Sequence, residues 1–350
     1  MPGDVMPGAV MAAEMAQQPA VLARLITRAA DDAATVRAAR PTPLAGVALV
    51  ARGSSDNAAV FGRYLAESLT GRPAGLAAPS LYTRYHAQVD WSGYLVIALS
   101  QSGATPEILT TCGAVRSAGA RVVGITNEWG SPLADTVDVL LSTDAGPERA
   151  VPATKTMTAQ MLLLATALGV PGMDALPGAV SAILADAAPA AELAARWRST
   201  DRLIITGRGL AYAAALEIAL KIKETTGILA EGLSVADLRH GPIATALAGA
   251  PVLLIDAGGP AAADTAALGT WLAAQGASAV TLPLPGLPER TERTGSSSGP
   301  AGLEPAGALP EPACVIAAVV RGQQLARALA LAKGADPDAP AGLTKVTPTT

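Results

Sequence analysis

The stretch Leu95-Val-Ile-Ala-Leu-Ser-Gln-Ser-Gly-Ala-Thr-Pro-Glu-Ile-Leu109 changes character at its middle. Leu95 to Leu99 is a short unbroken apolar run, the pattern of a strand buried on both faces of a parallel sheet. Ser100, Gln101, Ser102 and Gly103 end it with small polar residues and a glycine. Thr105 suits a helix N-cap and Pro106 the first helical position, so a helix is predicted from there to about residue 118. A strand that ends in hydroxyls and feeds a helix N-terminus gathers O–H groups, backbone N–H groups and the positive dipole end at one spot. That combination suits a phosphate ester. An ordinary strand-to-helix turn accounts for the spacing equally well, and the neighbouring segments must separate the two.

Outward from this stretch, strands and helices alternate. Val47–Val50 is a predicted strand, Arg52-Gly-Ser-Ser-Asp56 a tight polar turn and Ala58–Leu69 a helix ending before Gly71. Arg121–Thr126 is the next strand, Ala145-Gly-Pro-Glu148 a turn, and Thr154–Leu168 a helix. This is the pattern of a parallel sheet covered on both faces. Upstream, residues 9 to 40 are Ala-rich with Val21, Leu22, Leu25 and Ile26 at helical spacing, which predicts one or two helices. Downstream the pattern repeats: Leu203-Ile-Ile-Thr-Gly-Arg-Gly209 matches Val47-Ala-Leu-Val-Ala-Arg-Gly53, and Gly209 lies 156 residues after Gly53. The same shift carries Ser100 to Asp256, directly after the apolar run Val252–Ile255. Two α/β units are therefore expected, each with a doubly wound parallel sheet between helical layers. Asp256 repels a phosphate, so only the first unit should hold one. Leu282 to Pro312 is rich in Pro, Gly and Ser and is expected to be a mobile surface insertion, which spans 286–312. A last strand is predicted over Val315–Val320 and a helix over Gln323–Ala332.

Composition narrows the function classes. Of 350 residues, half are hydrophobic and only 15% are charged, which excludes a disordered chain and leaves room for two ordinary cores. A net charge of −4 gives no basic footprint for nucleic acid. No apolar run is expected to be a membrane span, and Met1-Pro-Gly-Asp-Val-Met lacks the start of a signal peptide. Cys112 and Cys314 are the only cysteines, which fits a reducing cytoplasm rather than a disulfide framework. With only His86 and His240 a histidine-based metal site is not expected, although carboxylates can still hold a loosely bound cation.

The helix expected over Ala211–Thr225 carries Glu217, Lys221 and Glu224, whose spacings of four and three put them on one face. By itself this is a solvated stripe of ion pairs. His240 follows before Gly241-Pro242, in a turn, where a histidine is either structural or a proton shuttle.

Taken in order, Arg52-Gly-Ser-Ser, Ser100-Gln-Ser-Gly-Ala-Thr105, Ala145-Gly-Pro-Glu148 with Val151–Lys155, Ala219-Leu-Lys-Ile-Lys-Glu224 and Leu238-Arg-His-Gly-Pro242 form a series. The series resembles the successive motifs of the double sugar-isomerase (SIS) family, best known from the isomerase half of glucosamine-6-phosphate synthase. Glu14-Met-Ala-Gln-Gln-Pro19 and Leu343-Thr-Lys-Val346 fit it as well, and the resemblance covers nearly all of the chain outside the insertion. It implies two tandem SIS domains at 41–170 and 190–335, an N-terminal helical segment at 1–40 and a C-terminal active-site tail at 336–350. It also implies roles. Ser55, Ser100, Gln101, Ser102 and Thr105 would hold the phosphate of a hexose 6-phosphate, and Gly53, Val151 and Ala153 would line the sugar. Glu224 would move a proton between C1 and C2. His240, supplied across a homodimer, would assist ring opening, while Lys345 and Lys221 would lie against the sugar. Two departures stand out: Ala153 where the synthase has a serine, and Asp237 where a glutamate is usual.

The synthase draws ammonia from an N-terminal glutaminase domain with an N-terminal cysteine nucleophile. This sequence has Pro2 there, and its first cysteine is Cys112. The expected activity is therefore that of the isomerase core: an amino-sugar-phosphate deaminase/isomerase taking glucosamine 6-phosphate to fructose 6-phosphate and ammonia. Such proton transfer calls for no metal or redox cofactor. A fructosamine-6-phosphate deglycase and an aldose–ketose phosphate isomerase are alternatives within the family. A sugar-phosphate-binding regulator is the alternative of another class, but it has no use for Glu224, His240 or Lys345.

Overall fold

A computed structural model describes residues 6–284 and 309–345. The insertion expected at 286–312 lies outside the described residues except for its last four, and Val346 lies outside them too. Three N-terminal helices come first, α1 (Ala9–Met15), α2 (Gln18–Thr27) and α3 (Ala29–Ala39), one more than the periodicity suggested. The first unit runs β1 (Gly46–Val50), α4 (Ser54–Thr70), β2 (Ala74–Leu76), α5 (Ser80–Thr83), β3 (Tyr94–Leu99), α6 (Pro106–Ser117), β4 (Arg121–Thr126), α7 (Pro132–Thr136) and β5 (Val139–Ser142). Helices α8 (Lys155–Leu168), α9 (Leu176–Ala185) and α10 (Ala188–Trp197) lead away from it. The second unit runs β6 (Arg202–Gly207), α11 (Ala211–Thr226), β7 (Leu229–Ser234), α12 (Val235–Arg239), α13 (Ile243–Leu247), β8 (Val252–Ile255), α14 (Ala262–Ala274) and β9 (Ala279–Thr281). Helix α15 (Glu311–Ala332) closes the described chain before its tail.

Both sheets are parallel, and both follow one winding: β2-β1-β3-β4-β5 in the first and β7-β6-β8-β9 in the second. The repeat at a shift of 156 residues is thus a repeat of topology. Even an ion pair recurs: Arg52 after β1 bonds Glu107 in the first turn of α6 (2.9 Å), and Arg208 after β6 bonds Asp264 in the first turn of α14 (3.3 Å).

Side chains alternate along each strand, so each sheet is buried on both faces. Ala48, Val50, Val96 and Ala98 pack against Tyr82, Ile108 and Leu133 of α5, α6 and α7. Ile204, Val252 and Leu254 pack likewise against α12, α13 and α14. The opposite faces, with Val47, Leu49 and Ile97 from one sheet and Ile205, Leu253 and Ile255 from the other, join a single core with α4, α8, α11 and α15. The two units therefore share their inner helices.

One predicted element is corrected. Val315–Val320 is not a strand but part of the 22-residue helix α15, so the second described sheet has no counterpart of β5. Residues 313–320 are buried all round, and a helix buried on every side shows no 3.6-residue period to tell it from a buried strand. By length and composition α15 is also long and apolar enough to cross a membrane, contrary to the expectation from the sequence. It packs inside this chain, with 83% of its most apolar window buried.

Candidate active site

In the first sheet the chain leaves β1 toward β2 on one side and reaches β3 on the other, which makes the C-terminal ends of β1 and β3 a topological switch point, the place where ligands bind in the crevice of such sheets. Two turns border it. The turn after β3 is tightly bonded: Gly103 N–H donates to Ser100 Oγ and Ser100 O (both 3.1 Å), and Ala104 N–H donates to Ser102 Oγ (3.3 Å). Ser100 Oγ lies 3.3 Å from Thr105 Oγ1. Gln101 contributes its carbonyl, which accepts from Asn127 N–H (3.0 Å). Gly103 has φ +61°, and a Cβ there would come within 2.0 Å of Ser131 Oγ, so the close crossing requires glycine. Thr105 and Pro106 take the N-cap and first helical positions of α6, as predicted, although the Thr105 hydroxyl makes no cap bond. The turn after β1 carries Gly53, at φ +61° with open space over its Cα, and Ser55 in the first turn of α4. Ser55 is turned inward, its hydroxyl donating to Gln160 Oε1 of α8 at 2.9 Å.

Helix α11 brings the charged face of the sequence to the same place. Glu217 and Lys221 are fully buried, and their charged atoms stand 3.6 Å apart. Lys221 Nζ also donates to Glu224, whose side chain is 21% exposed and is the outermost of the three. Asn57, in the first turns of α4 near Ser55, donates to Glu217 Oε2 at 2.8 Å. The group is therefore not a solvated stripe but a buried junction between the two units. Burial pushes the Glu217 carboxyl up to about 7, against the pull of Lys221 and the bonds from Asn57 and Ser54. Burial acts to lower Lys221, yet Glu217, Glu224 and Glu148 together hold its ammonium above the ordinary lysine range. Lys221 is thus a fixed cation, and Glu224 is the carboxylate it presents outward.

A third group comes from the loop between β5 and α8 and from both ends of the chain. Glu148 is buried and accepts from Thr154 N–H (3.0 Å), Thr156 N–H (3.1 Å), Thr156 Oγ1 (2.7 Å) and Lys345 Nζ (2.9 Å). Burial acts to raise its carboxyl, but Lys345 and the threonine donors hold it below the usual carboxylate range. Val151 is half-buried and donates its N–H to Asp338 O at 3.1 Å, while Ala153 is half-buried beside it. Asp338 in turn accepts from Val10 and Met11 N–H (2.9 and 2.7 Å) at the start of α1. The tail that carries Lys345 is strapped to the N-terminal helix and to the loop between β5 and α8 together. Glu14 of α1 accepts from Arg149 N–H and from Ala150 N–H, fixing that loop from behind.

His240 stands apart. It is exposed at the C-cap of α12, and its ring makes no hydrogen bond or ion pair with any described residue. The turn before it is anchored: Asp237 N–H donates to Ser234 Oγ (3.1 Å), and that hydroxyl donates to Asp237 Oδ2 (2.6 Å). The aspartate thus serves where a glutamate was expected. In the second unit, Asp256 accepts from Gly258 N–H (2.9 Å), and the Glu311 carboxylate lies against Gly259. Acids surround the turn that corresponds to the hydroxyl-rich one.

Of the residues the sequence singled out, Ser100, Ser102 and Thr105 lie together in the turn after β3, Lys221 and Glu224 are joined on α11, and Lys345 is bonded to Glu148. Sequence reasoning missed Asn57, Gln160 and Asp338. Each acts on a residue more than a hundred positions away, so no local spacing signals it; Glu148 alone, just before a helix with threonines at its start, carried a readable sign.

A family model described as "SIS domain" matches residues 46–169 and 197–282. Glutamine–fructose-6-phosphate aminotransferase (isomerizing) from Symbiobacterium thermophilum is 38% identical over 241 residues, which are 64% of this chain and 39% of that protein. The protein of the same name from Aeropyrum pernix is 34% identical over 364 residues, covering 96% of this chain and 56% of that one. The chain thus spans about half the length, or less, of these relatives. Among solved structures, an inferred phosphosugar isomerase from Silicibacter pomeroyi DSS-3 superposes with a TM-score of 0.79 at 32% identity, covering 94% of this chain and 99% of that one.

Proposed function

The chain belongs to the SIS domain family, and from that premise we propose that it is an amino-sugar-phosphate deaminase/isomerase, converting glucosamine 6-phosphate and water to fructose 6-phosphate and ammonia. One observation carries the reading. The Glu217–Lys221–Glu224 junction is hydrogen-bonded to the first turns of α4, the helix that carries Ser55, and leaves a single carboxylate, Glu224, at its outer end. A phosphate held by Ser55, Ser100, Gln101, Ser102 and Thr105 at the N-termini of α4 and α6 would fix C6 of a sugar, and C1 and C2 would reach toward Glu224. Gly53 leaves open space for the ligand, and Val151 and Ala153 would border the ring.

The chemistry assigned to these residues is proton transfer. His240 of a second subunit assists ring opening and exposes the C1 aldehyde. Glu224 takes the C2 proton, giving an enolamine, and returns a proton to C1. The resulting C2 imine is hydrolysed to the ketose and ammonia. Lys221 and Lys345 supply fixed positive charge where oxyanion character develops. The two cysteines are both buried, and burial pushes the Cys112 thiol up to about 12, so Cys112 offers no thiolate to attack glutamine. The test is to incubate the protein with glucosamine 6-phosphate and measure ammonia and fructose 6-phosphate. Equal release of both is expected. Ketose–aldose interconversion without ammonia would make it a plain isomerase, and binding without turnover a regulator.

A further inference from the structure

Behind Ser55 lies Gln160, a residue that nothing in the reaction above uses. Both are buried, and the Ser55 hydroxyl donates to Gln160 Oε1 at 2.9 Å. The other end of the same amide, Gln160 Nε2, is buried with no hydrogen-bond partner. A hydroxyl has one proton, and while Ser55 gives it to Gln160 it offers the crevice only lone pairs. A phosphate dianion has no proton to give in return. A half-turn of the amide removes the first mismatch and exchanges the second for a milder one. Nε2 then donates to Ser55 Oγ, the serine proton is freed for the crevice, and the atom left over is a carbonyl oxygen, which is less costly to leave unpaired than an N–H.

We propose that Gln160 is a positioning residue of the sugar-phosphate site, its amide turning over when a dianion enters and converting Ser55 from acceptor to donor. The inference rests on the reading of Ser55 and the Ser100–Thr105 turn as the phosphate site. It adds a source of selectivity: a phosphomonoester can only accept, so it is favoured by a serine driven to donate. A neutral sugar hydroxyl, which can bond either way, gains nothing.

The test is steady-state kinetics of the full chain on glucosamine 6-phosphate, with inorganic phosphate as competitor. Gln160→Leu keeps the volume and removes both amide groups. It should raise KM for the phosphosugar and Ki for phosphate by roughly tenfold while kcat holds, the size of one weakened charge-assisted bond. Because Gln160 acts through Ser55, the Ser55→Ala/Gln160→Leu double variant should bind no worse than Ser55→Ala alone. Additive effects, or an unchanged KM in Gln160→Leu, overturn the proposal. If Gln160→Leu does not fold, Gln160→Glu keeps the shape and the acceptor but has no N–H, and it should raise KM likewise. Ser102→Ala separates the two levels. If it leaves KM unchanged, the phosphate site itself is misplaced; if it raises KM and the Gln160 variants do not, only the role of Gln160 falls.

Discussion

Glu217 is the residue on which the charge balance of the crevice turns. Its carboxyl is raised from 4.5 to about 7 by burial, so between these values the native protein keeps a proton that the unfolded chain has released. The stability tied to that proton is fully present below about 4.5 and is lost as pH rises through about 7, an amount on the order of 3 kcal/mol. Urea unfolding of Glu217→Gln at pH values across this window should lack that loss, and a slope equal to wild type would contradict it. Glu224 is assigned the opposite kind of task. Glu224→Gln keeps the size but cannot accept a proton, so turnover should fall by about 10²–10⁴ while phosphosugar affinity survives. In the turn after β3, Ser102→Ala with Thr105→Ala should remove two charge-assisted bonds of roughly 1.5–3 kcal/mol each and raise KM strongly. The charged trio was legible because spacings of four and three on a helix need no partner to be read. Its burial was not, because α11 packs against α4 of the other unit, whose Asn57 stands 160 residues from Glu217 in sequence.

Among the elements, the α15 helix shows where pattern reading stops. Amphipathic helices and half-buried strands betray themselves by period, but Ala313–Val320 is apolar on every side, and only the unbroken length of the segment distinguishes helix from strand. The strands beside the site were readable for the opposite reason: each is a short apolar run stopped by Gly, Ser or Asp. The tail strap was not readable, since Asp338 caps α1 from more than three hundred residues away. This strap carries its own prediction. Asp338→Ala removes the side-chain cap of α1 and should cost about 1 kcal/mol of stability. It should also lower kcat, because the tail that presents Lys345 to Glu148 loses its anchor. Thermal unfolding and kinetics on the same preparation check both, and a stability loss with unchanged kcat would make the strap structural only.

Over the whole molecule, one α/β unit is used twice, and the copies carry different residues at their corresponding turns. The first keeps the hydroxyl-rich turns. The second supplies α11 and the His240 turn and surrounds its own corresponding turn with acids. The repeat was visible in the sequence through matched strand ends at one shift; the shared core of inner helices was not, because it is made between the copies. An exposed His240 whose ring has no partner among the described residues fits an assembly in which it serves a neighbouring subunit. Mixing and reassembling His240→Ala with Glu224→Gln should then restore about a quarter of wild-type activity, since half the dimers would hold one intact site. The most direct measurement of the central claim is the reaction of glucosamine 6-phosphate in deuterium oxide, followed by NMR with ammonia measured in parallel. The account predicts fructose 6-phosphate and ammonia in equal amounts, deuterium at C1 of the product, and all three slowed by about 10²–10⁴ in Glu224→Gln. Bound substrate with no exchange and no ammonia, or ammonia release undiminished in that variant, would contradict it.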